Sequence, residues 1–256
     1  MKIRFLGTGT STGIPEIGCQ CETCTSPDPK DKRLRTSVLL KINDKHILID
    51  CSPDFREQML QTFKSHPFKT LDGVLLTHEH YDHVGGLDDL RSFTREVPVD
   101  IYAQNDVIEA IKTRMPYSFR EHKYPGVPLF NMHSVENESF DVAGIKVIPI
   151  RLLHGKLPIL GFRIGRMAYL TDLSVIPEPE YKKLKNLDVL IMNALRPYPH
   201  IAHQTLQEAL ENIKKIQPKK TYLIHESHNF GRHELVQKTL SQEIFIAYDN
   251  LEIILS

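Results

Sequence analysis

Histidine and acidic residues cluster directly after one short apolar run, and this segment is the part of the sequence best suited to chemistry. Within GVLLTHEHYDHVGGL, His78 and His80 occupy alternate positions after a predicted strand, residues 74–77. Alternate side chains of an extended chain point to the same side, so both imidazoles can reach one metal ion. Asp82 and His83 follow in the next turn, and the glycine pair after them allows a tight bend. The segment therefore predicts a site for two neighbouring metal ions.

These residue types indicate hydrolytic chemistry. Two divalent ions about 3.5 to 4 Å apart can hold a bridging hydroxide as nucleophile and neutralise charge on substrate oxygens. Imidazole and carboxylate ligands suit zinc, manganese or iron, so the residues define the site better than they define the metal. A polar surface loop is the alternative interpretation, since the chain has 13 histidines. The preceding strand and the following glycines favour the metal site.

The run HEHYDH, residues 78–83, resembles the HxHxDH signature of the metallo-β-lactamase superfamily. This resemblance implies an α/β fold, a four-layer αββα sandwich, with metals at the open ends of its strands. The superfamily takes its remaining ligands from later strand ends, in the order histidine, aspartate, histidine. The residues that match this order are His154 after IKVIPIRLL, Asp172 at the end of MAYLTD and His225 at the end of KTYLIH.

The resemblance implies seven ligands for two active-site metals. One metal is assigned to His78, His80 and His154, and the other to Asp82, His83 and His225, with Asp172 between them. Asp82 is also counted among the catalytic residues. Asp50, at the end of HILID, looks like the superfamily's buried aspartate that orients the ligands. A plain strand-ending aspartate is the alternative for that position.

His203 has two interpretations. It lies just before a predicted helix whose cap is Gln204 or Thr205, so it could be an ordinary polar residue of a capping loop. However, AHQT resembles the His-x-Thr element of the ribonuclease Z and cyclic phosphodiesterase branches, where the histidine handles the phosphate and the leaving group. Histidine can protonate a departing alkoxide near neutral pH. We therefore predict that His203 is catalytic.

A second metal-binding pattern is the cysteine cluster GCQCETC. Cys19, Cys21 and Cys24 lie within six positions, a spacing that suits metal binding better than a disulfide framework. A structural zinc needs four ligands, and His228 in LIHESH is the predicted fourth. Cys51 follows a core strand and is expected to be a small buried residue. A metal-free thiol cluster is the alternative.

The combination of motifs narrows the resemblance. A Cys₃His cluster beside HxHxDH, with the opening FLGTGTSTGIP and the closing YDNLEI, resembles the PhnP-like cyclic phosphodiesterases of the carbon–phosphorus lyase pathway over nearly the whole chain. That family cleaves cyclic ribosyl or nucleoside phosphates and simple phosphodiesters. The resemblance therefore implies a phosphoric diester hydrolase with two active-site divalent metals, zinc or manganese or else iron, and one structural zinc.

Three other functions share some of these sequence features. Ribonuclease Z shares both histidine motifs but carries a basic, Gly/Pro-rich arm for transfer RNA, whereas the basic stretch 112–133 also fits a solvated loop. A thioester or lactam hydrolase remains compatible with the ligands, although Asp172 stands where some zinc β-lactamases have cysteine. A non-catalytic carrier, as suggested for pyrroloquinoline-quinone biosynthesis relatives, tends to lose ligands, and all seven candidates are present here.

Composition limits the partners. The 256 residues, 41% of them hydrophobic, suit one domain spanning 1–256, and 32 basic against 32 acidic residues give no net charge. We therefore expect a small phosphodiester substrate rather than nucleic acid or a membrane. No apolar stretch approaches the roughly 20 residues of a membrane span, and MKIRFLGTG is typical of a first strand rather than a signal peptide. A cytoplasmic protein with reduced thiols is expected, and its oligomeric state, a homodimer included, is left open.

Apolar periodicity predicts the elements that must position these residues. Predicted strands are IRFLG, VLLKI, HILID, GVLLT, VDIYA, IKVIPI, LGFRIG, MAYLTD, DVLIMN, KTYLIH and LEIIL. Predicted helices cover 53–63, 104–112, 178–186 and 204–216, with another beginning near Leu87.

Overall fold

The computed structural model describes residues 1–95 and 97–255, and these build two mixed seven-stranded sheets. The first six strands are β1 (Lys2–Gly7), β2 (Ser37–Ile42), β3 (Lys45–Ile49), β4 (Gly73–Leu75), β5 (Val99–Ala103) and β6 (Phe130–Ser134). The next seven are β7 (Phe140–Val142), β8 (Ile145–His154), β9 (Leu157–Ile164), β10 (Met167–Leu170), β11 (Val189–Asn193), β12 (Lys220–Ile224) and β13 (Ile244–Ile246). The last strand, β14 (Glu252–Ile254), returns to the first sheet, whose order is β14-β1-β2-β3-β4-β5-β6, and the second sheet runs β13-β12-β11-β10-β9-β8-β7.

Helices cover the outer faces of the sheets. The α-helices are α1 (Phe55–Phe63), α2 (Tyr81–Val84), α3 (Asn105–Arg114), α4 (Leu206–Ile216) and α5 (His233–Gln237). Short 3₁₀ helices occupy Pro29–Asp31, Leu87–Ser92, Pro116–Ser118, Glu178–Leu184 and His228–Phe230. Within the described part of the chain, a helix long and apolar enough to cross a membrane is absent.

The central strands are buried on both faces, which explains the layering. In β3, Ile47 and Ile49 join the cluster between the two sheets, while Leu48 joins the cluster beneath α1 and α3. In β10, Tyr169 faces the other sheet and Leu170 packs in the cluster that includes residues of α4. Strands buried on both faces read as continuous apolar runs, as these do. The predicted four-layer αββα sandwich is confirmed.

Parallel pairing brings the functional strand ends to one edge. Strands β3 to β6 are parallel neighbours, and so are β10 to β13. The segments that follow β3, β4, β10 and β12 carry Asp50, the HEHYDH run, Asp172 and His225. The carboxyl ends of parallel strands are where ligands bind in open α/β sheets.

The predicted helices at 53–63, 104–112 and 204–216 correspond to α1, α3 and α4. The prediction of a longer helix over 178–186 is only partly right, because this segment forms the 3₁₀ helix Glu178–Leu184, in which Pro179 lacks a backbone donor. Strands β6, β7 and β13 and helix α5 were not predicted. Strand β6 is an edge strand with mixed exposure, and β7 and β13 have only three residues each.

A capping box determines where α4 begins. The hydroxyl of Thr205 accepts a hydrogen bond from the Glu208 amide at 3.2 Å, and the Glu208 carboxylate accepts one from the Thr205 amide at 2.7 Å. The other candidate cap, Gln204, instead donates its side-chain amide to the Asn193 carbonyl. The helix cap is therefore fixed two residues after His203, and the helix begins at the next residue.

Replacing Thr205 with alanine should lower the free energy of unfolding by about 1 kcal/mol, because an N-cap hydrogen bond is lost. Urea denaturation followed by circular dichroism measures the change. The matched control is Thr113→Ala, an exposed threonine inside α3 that donates to the Glu109 carbonyl. We expect a change within about 0.5 kcal/mol there, and an equal loss in both variants would contradict the capping role.

Candidate metal centre

The HEHYDH segment leaves the buried strand β4 and turns into α2 at the edge of the first sheet. His78 and His83 are almost fully buried, whereas His80 faces solvent. The two glycines that follow form the predicted turn, which leads into the 3₁₀ helix Leu87–Ser92, but both have ordinary negative φ angles. Close packing is what requires glycine there: a Cβ on Gly86 would lie 2.1 Å from the Ser52 carbonyl oxygen, and one on Gly85 would lie 2.6 Å from that of Tyr81.

Three residues just after strands share an unusual backbone conformation. Asp50 after β3, Asp172 after β10 and His225 after β12 have φ angles of 59°, 56° and 59°. Such left-handed conformations cost roughly 1–3 kcal/mol for residues other than glycine and cluster at functional sites. Here they accompany side chains that are buried in the gap between the strand ends.

The first predicted ligand group is brought together. The ring centroid of His78 lies 4.6 Å from that of His80 and 5.6 Å from that of His154, and the last two are 5.1 Å apart. Nδ1 of His154 is 2.7 Å from the Asp172 carbonyl oxygen and 2.9 Å from that of Ala202. If Nδ1 donates to these oxygens, Nε2 is left free to bind a metal.

The second predicted group is more compact. One ligand atom from each of Asp82, His83, Asp172 and His225 lies within 4.8 Å of all the others. The Asp172 carboxylate is 3.3 Å from Nε2 of His83 and 3.0 Å from Nε2 of His225. Its other oxygen lies 3.7 Å from Nε2 of His78. Asp172 therefore lies between the two groups, which is the place that the resemblance implies for it.

The donor atoms fit divalent cations. Nε2 of His78, His83 and His225 is buried without a hydrogen-bond partner, an arrangement that is costly unless something binds there. Burial opposes charge on His83, yet the carboxylates of Asp172, Asp82 and Asp50 raise its pKa well above the ordinary value. The site therefore demands positive charge, and a nitrogen and oxygen donor set of this kind suits zinc, manganese or iron.

Asp50 supports the ligands from behind. Its carboxylate is fully buried, accepts hydrogen bonds from the amide and hydroxyl of Thr77, and lies 2.8 Å from Nδ1 of His83. A histidine that donates Nδ1–H to a carboxylate presents Nε2 to a metal in a fixed orientation. The structure places Asp50 where the resemblance expects it, and its influence on metal affinity stays a prediction.

His203 lies inside the site rather than on a polar loop. Its ring centroid is 4.5 Å from that of His154 and 5.1 Å from that of His225. Its Nδ1 is buried without a hydrogen-bond partner. Burial lowers the pKa of His203 to about 3, so the imidazole is neutral at pH 7. One of its nitrogens is also within ligand distance of His154 and Asp172, so a contact with a metal is geometrically open to it.

Sequence reasoning missed a neighbouring histidine. His200 is exposed, and its ring centroid lies 5.0 Å from that of His203. The three-residue spacing of the two histidines in PHIAH was the available signal. His200 therefore adds a titratable group to the rim of the site.

The predicted Cys₃His cluster assembles as a second candidate metal site. Donor atoms of Cys19, Cys21, Cys24 and His228 all lie within 4.8 Å of one another, and the cysteines are free. Nδ1 of His228 is 3.1 Å from Sγ of Cys19, and its Nε2 is 3.2 Å from the carboxylate of Glu16, which the sequence did not indicate. Cys51 is fully buried, as expected.

A buried contact between Arg33 and Glu226, whose pKa burial raises to about 8, connects the two clusters and has no sequence signal. The guanidinium of Arg33 lies 3.2 Å from the Glu226 carboxylate, and both side chains are buried. Arg33 also donates to the Thr8 hydroxyl, while the Thr8 carbonyl accepts from the amide of His225. The N-terminal segment is thereby tied to the loop that carries His225 and His228.

Comparison with known proteins identifies the family. A model described as "Beta-lactamase superfamily domain" matches residues 45–225. A solved structure of a diphosphatase from the PhnP family is 38% identical, covers 100% of this chain and 98% of its own, and superposes with a TM-score of 0.91. The chain belongs to the metallo-β-lactamase superfamily, in its PhnP-like branch. It has the metallo-β-lactamase fold and a candidate divalent-metal site.

Other similar proteins have different names, and one of them is much longer than this chain. An octanoyltransferase from Porphyromonas gingivalis strain W83 is 46% identical over 100% of this chain, but only 52% of that protein is covered. The chain thus spans about half the length of this curated relative. The solved structure of zinc-bound PqqB from Methylobacterium extorquens superposes on this chain with a TM-score of 0.79, over 100% of each chain, at 19% identity. This likeness shows a shared fold.

Cys21 should be unusually reactive when its cluster holds no metal. A hydrogen bond from the Cys24 amide, with contributions from Cys19 and His228, lowers the pKa of Cys21 to about 6 despite some burial. At pH 7, iodoacetamide should therefore alkylate Cys21 in metal-stripped protein much faster than it alkylates buried Cys51, and added Zn²⁺ should block the reaction. Peptide mass spectrometry measures both rates, and equal alkylation with and without Zn²⁺ would contradict metal binding by this cluster.

Proposed function

We propose that this protein is a metal-dependent hydrolase that cleaves small phosphodiesters, such as cyclic ribosyl or nucleoside phosphates, or diphosphate esters of similar size. His203 is the observation that carries the proposal. A half-buried histidine whose buried Nδ1 has no partner lies against His154 and His225, where a substrate oxygen would meet it. A compact diester fits this arrangement better than a polymer, because the chain has no net charge with which to attract one.

The PhnP-family relative supports attack at phosphorus. That protein is a diphosphatase, and it is 38% identical to this chain over its full length. Cleavage of a P–O–P bond and of a P–O–C bond both need charge stabilisation on phosphoryl oxygens and on a leaving oxygen. The name octanoyltransferase belongs to a relative about twice as long as this chain, and it suggests no substrate for the site described here.

Seven side chains would hold two divalent cations, zinc or manganese or else iron. The ligands are His78, His80, His154, Asp82, His83, His225 and Asp172, and Cys19, Cys21, Cys24 and His228 would hold a structural zinc. When bound, the active-site cations supply charge neutralisation and lower the pKa of a bound water toward neutrality. Asp50 keeps the His83 ring oriented, and the buried Asp172 carboxylate keeps the two ligand groups together.

His203 and Asp82 contribute differently to the reaction. Burial alone would raise the pKa of Asp82, but the neighbouring His83 and His225 lower it below the ordinary value, so Asp82 stays ionised. His203 is neutral at pH 7, so in the resting site it is a hydrogen-bond donor to a phosphoryl oxygen rather than a charged acid. An anionic substrate beside the ring favours its protonated form, which can then protonate the leaving oxygen.

Steady-state hydrolysis of bis(p-nitrophenyl) phosphate by metal-loaded protein tests the proposal. We expect metal-dependent turnover in the wild type and a loss of about 100-fold or more in His203→Ala, with both active-site metals retained. Asp172→Ala should lose metals and turnover together. His66→Ala is the matched control, since this half-exposed histidine contacts Lys2 and Glu252 instead of the site.

Normal turnover in His203→Ala would remove this residue from the mechanism. An inactive wild type that demonstrably holds both metals would contradict the phosphodiester proposal and favour a thioester substrate.

A further inference from the structure

A small cleft opens beside the HEHYDH turn, between α2 and the end of α3. It has a volume of about 170 Å³, and its walls include the buried apolar side chains of Val84, Leu87 and Ile111. Tyr81 and Tyr117 add aromatic walls. A mostly apolar cleft with a few polar groups at its edge is the usual form of a small-ligand subsite. This one adjoins the candidate metal ligands without containing any of them.

Tyr81 connects the cleft to the metal centre. It lies between His80 and Asp82 in the chain, so its backbone is one residue from a candidate ligand of each metal. One side of its ring packs on Gly85, where any Cβ would come within 2.8 Å of a ring carbon. The side chain nevertheless remains 66% exposed. Large exposed aromatic side chains beside a cleft are typical of binding surfaces.

Polar groups of the cleft are held at its rim. The hydroxyl of Tyr117 donates to the Asp88 carboxylate at 2.7 Å, and burial together with this bond raises the pKa of Tyr117 to about 12. Tyr117 is therefore neutral at all working pH values. Arg114 donates to the Glu79 carbonyl, and its guanidinium lies 3.6 Å from the Glu79 carboxylate. The cleft is thus lined by one carboxylate, that of Asp88, which is bonded to Tyr117 and lies against Arg91, and by one guanidinium, that of Arg114.

The loop before His203 carries a tyrosine that is less available. Tyr198, on the loop before His203, is 47% exposed, but the guanidinium of Arg196 already lies 4.4 Å from the centroid of its ring. A flat ligand would have to displace that cation–π contact. Tyr81 has no cation on its ring among the contacts of the described residues.

We infer that the cleft between Tyr81, Met115 and Tyr117 binds a flat uncharged ring of the substrate, such as a nucleobase, while the phosphate lies at the metal centre. This inference rests on the proposed phosphodiesterase function and adds the specificity-determining residue Tyr81. Stacking on an aromatic side chain stabilises any nucleobase and does not depend on hydrogen bonds to particular base atoms. A cleft with aromatic and apolar walls suits this kind of binding. Arg114 would lie near the anionic part of the same substrate.

Two esters with one scissile bond test the subsite: thymidine 5′-(p-nitrophenyl) phosphate and methyl p-nitrophenyl phosphate. For wild-type metal-loaded protein we expect a higher kcat/KM with the thymidine ester. Tyr81→Leu should lower the thymidine-to-methyl ratio of kcat/KM about tenfold, because stacking is lost, whereas Tyr81→Phe should keep it. The matched control Tyr124→Leu removes a 79% exposed tyrosine outside this cleft and should leave the ratio unchanged.

Two outcomes would overturn the inference: an unchanged ratio in Tyr81→Leu, which includes a parallel fall for both esters, or a selective loss in Tyr198→Leu instead. If the wild type holds its metals but hydrolyses neither ester, the proposed function fails. A binding measurement then tests the subsite independently of turnover. Isothermal titration with thymidine 5′-monophosphate and with inorganic phosphate should then show that Tyr81→Leu weakens only the nucleotide, about tenfold. Equal effects on both ligands would overturn the subsite.

Discussion

The burial of many charged and ligating groups in one small volume is the constraint on which the rest of this structure depends. Asp50, Asp82 and Asp172 lie with His78, His83 and His225 at the strand ends, and each of the six residues is at most 8% exposed. Buried carboxylates and unpartnered imidazole nitrogens are costly unless cations and hydrogen bonds compensate them. The left-handed backbone at Asp50, Asp172 and His225, and the Thr77 hydrogen bonds to Asp50, serve this single arrangement.

The candidate site exists only when the two sheets pack together. The first sheet supplies Asp50 and the HEHYDH run, while the second supplies His154, Asp172, His203 and His225. The apolar cluster between the sheets therefore sets the distances between the two ligand groups. The Arg33–Glu226 pair adds a third constraint, because it ties the segment with the cysteine cluster to the loop with His225.

Much of the fold and of the candidate site could be predicted from the sequence. The features that could not be predicted have physical reasons for leaving no sequence pattern. The alternating histidines after an apolar strand indicated a metal site, and the resemblance supplied the later candidate ligands and the αββα layering that periodicity alone leaves open. Helix α4 was predictable because its apolar spacing and its cap agree. The contact between Arg33 and Glu226 was not, because a buried contact between distant segments leaves no local pattern. The glycines of the HEHYDH segment form the predicted turn, but the close packing of Gly86 against Ser52 could not be predicted.

Metal stoichiometry measured by native mass spectrometry tests the central claim most directly. Zinc-loaded wild-type protein should carry three metal ions per chain, two at the His/Asp centre and one at the cysteine cluster. Asp172→Ala should retain only the ion at the cysteines, and Cys21→Ser should retain only the two at the His/Asp centre. A wild type with a single ion, or an Asp172→Ala protein that still holds three, would contradict the account.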